Sequence, residues 1–252
     1  MYFSFNKIIG SLPADYNAES SLWVKLWVRK ASFLFTWLFI NIGFSSNNVT
    51  AISIFVTIAS CILYTIPSTW ALITAVVLIN FWLVLDCVDG NIARCVKQKK
   101  LYGSFIDAVG GYYTVAFIYL AIGISSYNTG GLCFEAGNKW ILVAGAVSSI
   151  SDILSRLIYV NYCGVLRKED VDGVSEEKKR QKEKYTLNWL RKRVGREIGI
   201  SGFFMFFTIL GLLFNCNDIL TLFYLLFNGF ALLSTTVIYF RKADLYDKNL
   251  NK

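Results

Sequence analysis

The sequence predicts an all-α polytopic membrane protein, with six transmembrane helices preceded by an amphipathic helix lying in the membrane interface. Three observations lead there. The 252 residues are 55% hydrophobic, with a mean hydropathy of +0.49 and only two prolines. Several apolar runs approach or exceed the ~20 residues that a helix needs to cross ~30 Å of hydrocarbon. The basic residues are also spread unevenly over the segments between those runs. A soluble domain of this length would alternate polar and apolar faces more often.

Taken in order, Met1 to Gly10 is too polar and short for a signal peptide, so insertion is expected to rely on the first membrane helix. Residues 19–44 combine Trp23, Trp27, Trp37 and many Phe with Lys25, Arg29 and Lys30. Tryptophan with basic residues favours a helix in the interface plane. A seventh span here is the competing reading, and 31–44 alone is short for it. The six spans fall at about 49–66, 68–88, 104–126, 139–162, 198–215 and 218–240. The chain thus divides into an N-terminal segment (1–44), a membrane domain (45–240) with a charged loop at 164–197, and a tail (241–252).

Charge sets the orientation. With the N-terminus inside, the outer loops at about 65–69, 126–139 and 215–219 hold one basic residue, Lys139. This is the asymmetry of the positive-inside rule, and it puts the site described below on the cytoplasmic face. The net charge of +8 does not point to nucleic acid, because eleven of the 25 Lys and Arg lie between Arg167 and Arg196, interleaved with acids. Such a mixed run is a solvated segment, and its bases can also meet anionic headgroups. Without a targeting segment, a bacterial or archaeal cytoplasmic membrane is the expected location.

The absence of histidine removes the commonest general base, the Ser-His and Cys-His nucleophile systems and His-ligated zinc. The six cysteines contain no Cys-x-x-Cys pair and read as small buried hydrophobes. What remains is acidic. Asp86, Asp89 and Asp107 sit at the ends of apolar segments, where carboxylates are costly without a partner or a task. Asp86 and Asp89 are three residues apart, and with Gly90 and Ala93 they share a helix face. Gly103 and Asp107 share another face, across a short loop. Three hard oxygen ligands beside Arg94 and the loop bases Lys97, Lys99 and Lys100 suit a divalent cation and a phosphate. A transporter would instead need ligands near the bilayer midplane.

These residues resemble the signature of the CDP-alcohol phosphotransferases: Asp-x2-Asp-Gly-x2-Ala-Arg, eight or nine residues, then Gly-x3-Asp-x3-Asp. Seven positions match: Asp86, Asp89, Gly90, Ala93, Arg94, Gly103 and Asp107. Asn48-Val-Thr50 is more weakly similar to the opening of the family's first span, and the resemblance extends over about 45–240. It implies six helices and attack of an alcohol on the diphosphate of a CDP-alcohol, releasing CMP, as in phospholipid biosynthesis. It further implies magnesium or manganese, two ions in the family and one or two here, held by Asp86, Asp89 and Asp107. The family's proposed base is the fourth aspartate, and Asp107 is the expected catalytic residue in this chain. Gly90, Ala93, Arg94 and Gly103 would line the cytidine and diphosphate pocket. CDP-diacylglycerol with a small polar acceptor is the expected pairing, although a CDP-linked small alcohol with a lipid acceptor fits the motif equally well. Membrane lipids are the expected surroundings, and a homodimer is left open.

One position departs from the signature. Its fourth aspartate falls on Gly111, which supplies neither ligand nor base. A substitute carboxylate such as Asp152, a single-ion or water-assisted mechanism, or a non-catalytic relative acting as scaffold or sensor each accommodates this. Gly110 and Gly111 also read as helix-packing glycines. Asp152 and Arg156, four apart, read either as an internal ion pair or as a site in which Arg156 meets the acceptor. Arg196 and Glu197 read as interfacial anchors or headgroup contacts.

Overall fold

The structure, a computed structural model, describes residues 3–13, 19–97, 101–168 and 187–250. Among them there is no strand. A short helix α1 (Phe5–Gly10) precedes a π-helical turn (Val24–Val28) that runs into α2 (Arg29–Asn41). Then come α3 (Ser46–Tyr64), α4 (Thr69–Val96), α5 (Leu101–Thr129), α6 (Lys139–Lys168), α7 (Leu187–Ile198), α8 (Phe204–Phe214) and α9 (Asn217–Leu250). Lys99, Lys100 and most of the charged loop fall outside the described residues.

Five helices, α3, α4, α5, α6 and α9, are long and apolar enough to cross a membrane. The sixth predicted crossing takes another form. Gly199 to Phe203 are turns, and α8 has only 11 residues, about 16 Å at 1.5 Å per residue. The chain nevertheless traverses the bundle here. Ile200 and Ser201 stand beside Asp86 and Asp107. At the other end the Asp218 carboxylate accepts the N–H groups of Cys133 (2.6 Å) and Phe134 (3.0 Å) in the loop between α5 and α6.

The core is organised on α4. This helix is the most enclosed of the five, with Ile79, Leu83, Leu85 and Val88 buried, whereas α9 carries Leu226, Phe230, Leu233 and Phe240 exposed on its outer side. Packed against α4 are α2, α3 and α8, while α5, α6 and α9 form the other half. Hydrocarbon gives helices no hydrophobic reason to associate, so small residues and polar contacts must do it. A Cβ on Gly145 would lie 2.7 Å from the Tyr119 carbonyl and one on Gly123 3.1 Å from Gly145 Cα, so α5 and α6 cross in backbone contact. Ser60 Oγ donates to Ala75 O (2.8 Å) between α3 and α4, and Asn228 Nδ2 donates to Ser148 Oγ (3.0 Å) between α9 and α6. Each such bond contributes ~0.6 kcal/mol in a membrane.

The N-terminal segment is built into this bundle. Helix α2 buries Ser32, Thr36 and Ile40 and leaves Leu34 and Leu38 outside, and it is not among the helices fit to span. Arg29, one of the basic residues on which the interfacial-helix expectation rested, is only 6% exposed. It donates to Ser20 Oγ at 2.9 Å and lies within electrostatic range of Asp86. Enclosed carboxylates require a nearby countercharge, which explains the inward turn. Arg196 and Glu197 hold the same segment: Arg196 donates to the Glu19 carbonyl (2.5 Å), and the Glu197 carboxylate accepts the Leu22 N–H (2.9 Å).

Candidate active site

Helix α4 continues through Asp86, Asp89 and Gly90 to Val96 and ends where Lys97 takes a left-handed conformation (φ +54°). Helix α5 restarts at Leu101 and brings Gly103, Asp107 and Gly111 back alongside. Two cavities open where the helices meet. The larger, about 500 Å³, is lined by Asp89, Gly90, Ala93, Gly103 and Asp107, with Ser46, Asn47 and Thr50 of α3. The smaller, about 380 Å³, is lined by Asp86, Asp107, Gly111 and Arg156, with Trp82, Tyr112, Tyr159 and Ser201. Asp107 belongs to both walls.

The two aspartates of α4 are therefore divided between the cavities. Three residues correspond to ~4.5 Å along a helix axis. That rise carries Asp86 deeper, into the smaller cavity, and leaves Asp89 in the larger one. The three carboxylates still interact electrostatically, but among the described residues no three Asp, Glu, Cys or His side chains close on a single point.

Each predicted position has a definite setting. Asp89, 6% exposed, accepts the Thr50 hydroxyl on Oδ2 at 2.7 Å, and Ser46 Oγ donates to its carbonyl at 3.0 Å. The start of α3 thus clamps the motif helix. A Cβ on Gly103 would meet Asn47 Oδ1 at 3.2 Å, so a side chain there would crowd the larger cavity. A Cβ on Gly90 would meet both terminal nitrogens of Arg94 at 3.4 Å, so the guanidinium lies over Gly90. Arg94 does not itself line either cavity but donates through Nη2 to Asn91 Oδ1 at 2.7 Å.

The paired glycines separate. A Cβ on Gly110 would press on Ile54 Cγ1 at 3.2 Å, so this glycine serves packing against α3. One on Gly111 would meet nothing within 4 Å, so this glycine opens onto the smaller cavity. The packing expectation thus holds for Gly110 and not for Gly111, because their side-chain directions differ by ~100° around the helix. Arg156 Nε donates to Asp152 Oδ1 at 2.8 Å, and Arg156 lines the smaller cavity whereas Asp152 lines neither. The Asp152 carboxylate is also the acceptor for Tyr119 Oη at 3.4 Å.

Sequence reasoning missed Ser46, Ser32, Thr36 and Asn91, which brace the motif, and the aromatic wall of Trp82, Tyr112 and Tyr159. Of these only Ser46 lies near a sequence signal, the Asn48-Val-Thr50 opening.

No curated protein matches the chain. A profile described as CDP-alcohol phosphatidyltransferase matches residues 44–222, which takes in α3 to α8 and every residue lining the two cavities. With that match over most of its length, the chain belongs to the CDP-alcohol phosphatidyltransferase family, a class of phosphotransferases that move phospho-alcohol groups.

Proposed function

We propose that the protein is an active transferase, moving a phosphatidyl or related phospho-alcohol group from a CDP-alcohol to an alcohol acceptor with release of CMP. The carrying observation is the position of Asp107 on the common wall of two cavities. A two-substrate transfer needs such a boundary, because donor and acceptor must meet at one phosphorus atom.

The larger cavity suits the donor. Its wall of Gly90, Ala93 and Gly103 leaves space close to the backbone for cytidine and diphosphate. Its rim includes Leu101, 91% exposed, with Phe105 exposed one turn on, an apolar margin for acyl chains. This favours CDP-diacylglycerol over a CDP-linked small alcohol. The smaller cavity, with Arg156, Tyr112, Tyr159 and Ser201, supplies donors for a small polar acceptor.

In the transfer an acceptor oxygen bonds to the phosphorus that carries the donor alcohol. The bond from that phosphorus to the bridging oxygen breaks, and CMP leaves with that oxygen. Asp107 stands beside both partners and receives the hydroxyl proton. Arg94, anchored over Gly90, contributes positive charge next to the donor cavity.

The family is generally dependent on a divalent metal. Asp86, Asp89 and Asp107 offer only hard oxygen donors, which suits magnesium or manganese, and these side chains would hold one or two such ions. A bound ion supplies neutralising charge to the diphosphate and the departing CMP. The site faces the cytoplasm in this reading, on the loop charges described above.

Gly111 favours a second reading, a relative that binds a CDP-ligand or metal without turnover. Purified protein incubated with CDP-diacylglycerol and a panel of alcohols separates the two. CMP release that disappears in Asp86→Asn at unchanged melting temperature supports the transferase. Release only after Gly111→Asp supports the scaffold.

A further inference from the structure

We propose that Asn91 is a positioning residue that fixes the Arg94 guanidinium over Gly90, and that α2, which precedes the family-matched region, holds Asn91 in the orientation this requires. Asn91 is fully buried, with Nδ2 3.2 Å from Ser32 Oγ and 3.1 Å from Thr36 Oγ1. Both hydroxyls are also at 0% exposure. Each has a single proton, and each proton is already used: Ser32 Oγ donates to Arg29 O (2.8 Å) and Thr36 Oγ1 to Ser32 O (2.6 Å). Toward Asn91 they therefore present lone pairs only.

Two acceptors on one side admit only one orientation of the amide. Turned over, Asn91 would place its carbonyl oxygen against two lone pairs and its NH₂ against a guanidinium. In the orientation observed, Oδ1 faces Arg94 and accepts Nη2 at 2.7 Å. The guanidinium is thereby held with both terminal nitrogens 3.4 Å from the point a Gly90 Cβ would occupy, beside the larger cavity. An unanchored arginine would have to give up its rotamer freedom each time an anion bound. The chain Ser32 and Thr36, Asn91, Arg94 removes that cost in advance. The function of the anchored cation as a donor-binding group rests on the transferase reading above; the anchoring itself does not.

The test uses the full-length protein and two routes to the same loss: Asn91→Leu, and Ser32→Ala with Thr36→Val, which alters no cavity residue. The first readout is the rate at which phenylglyoxal modifies Arg94, followed by mass spectrometry. It needs no turnover. We expect it to rise severalfold in both variants. An unchanged rate in either one overturns the anchoring, whatever the protein catalyses. The second readout is CMP release from CDP-diacylglycerol. The expected result is a KM for the donor raised about tenfold with kcat within about twofold, the signature of lost uniform binding. Combining the two routes should add no further loss, since both break one chain. Faster labelling with unchanged KM, or losses that add and fall on kcat, overturns the donor-positioning role. Absence of CMP release from the wild type would count against the transferase, while the labelling rates still decide the anchoring.

Discussion

Replacing Gly111 by aspartate restores a carboxylate where the family signature carries its fourth, and the structure allows the outcome to be worked out. A Cβ at Gly111 meets nothing within 4 Å, so the side chain enters open space in the smaller cavity and repacks nothing. Exchanging glycine for aspartate within a helix gains a few tenths of a kcal/mol in propensity. The new charge sits four residues from Asp107, and such like-charged pairs cost ~0.2–0.5 kcal/mol. These terms nearly cancel, so without divalent cation the variant should melt within a few degrees of the parent. With cation the balance changes. A carboxylate ~4 Å from an ion gains ~4 kcal/mol per unit charge at an effective dielectric constant of 20, before desolvation. Mg²⁺ carries two charges, so the gross term is ~8 kcal/mol, and if about a sixth of it survives, half-saturation by Mg²⁺ moves down about tenfold. The assay is CMP release titrated with Mg²⁺, paired with thermal melts in Mg²⁺ and in EDTA. A variant that folds but shows the parental Mg²⁺ dependence would refute the expectation that a carboxylate at 111 reaches an ion held by Asp86 and Asp107. A variant that cannot fold would refute the open space.

The other predictions concern the remaining walls of the site and the packing beneath it. Asp107→Asn should lower CMP release at least ~100-fold, as expected for loss of a proton acceptor, with little change in melting temperature because the side chain is exposed to the cavities. Thr50→Val removes the 2.7 Å bond to the enclosed Asp89 carboxylate; a loss of ~1.5–3 kcal/mol in detergent unfolding and a weakening of Mg²⁺ half-saturation by ~10–100-fold are expected. Gly145→Ala should lower the melting temperature despite a ~1 kcal/mol propensity gain, because its Cβ would lie 2.7 Å from a backbone carbonyl. Gly229→Ala, with nothing within 4 Å, is the control and should be neutral or stabilising.

How far these features could be read from the sequence depends on which constraint wrote them. The membrane demands uninterrupted apolar helices, so the long spans from Ser46, Thr69, Leu101, Lys139 and Asn217 stand out in the chain. Residues 198–215 look equally apolar, yet 199–203 form a turn, closed by the Phe203 N–H on the Glu197 carbonyl and tied to Ser21 Oγ through the Ser201 carbonyl, and hydropathy registers neither bond. The motif spacing placed Asp86, Asp89 and Asp107 around the same helix junction. It did not reveal that one helical turn separates two cavities, because that depends on how α5 and α6 approach α4. Arg29 looked like a surface cation because tryptophan and lysine surround it in sequence. Its burial follows from the tertiary position of Asp86. Asn91 occupies a variable position of the motif, and its role appears only when Ser32 and Thr36 are seen opposite it.

The most direct test is CMP release from CDP-diacylglycerol by the purified protein, measured with Mg²⁺ or Mn²⁺ and again in excess EDTA. The account predicts release in the presence of divalent cation and its loss on chelation. Equal turnover in EDTA, or no release from any CDP-alcohol by a protein that remains folded, would contradict it.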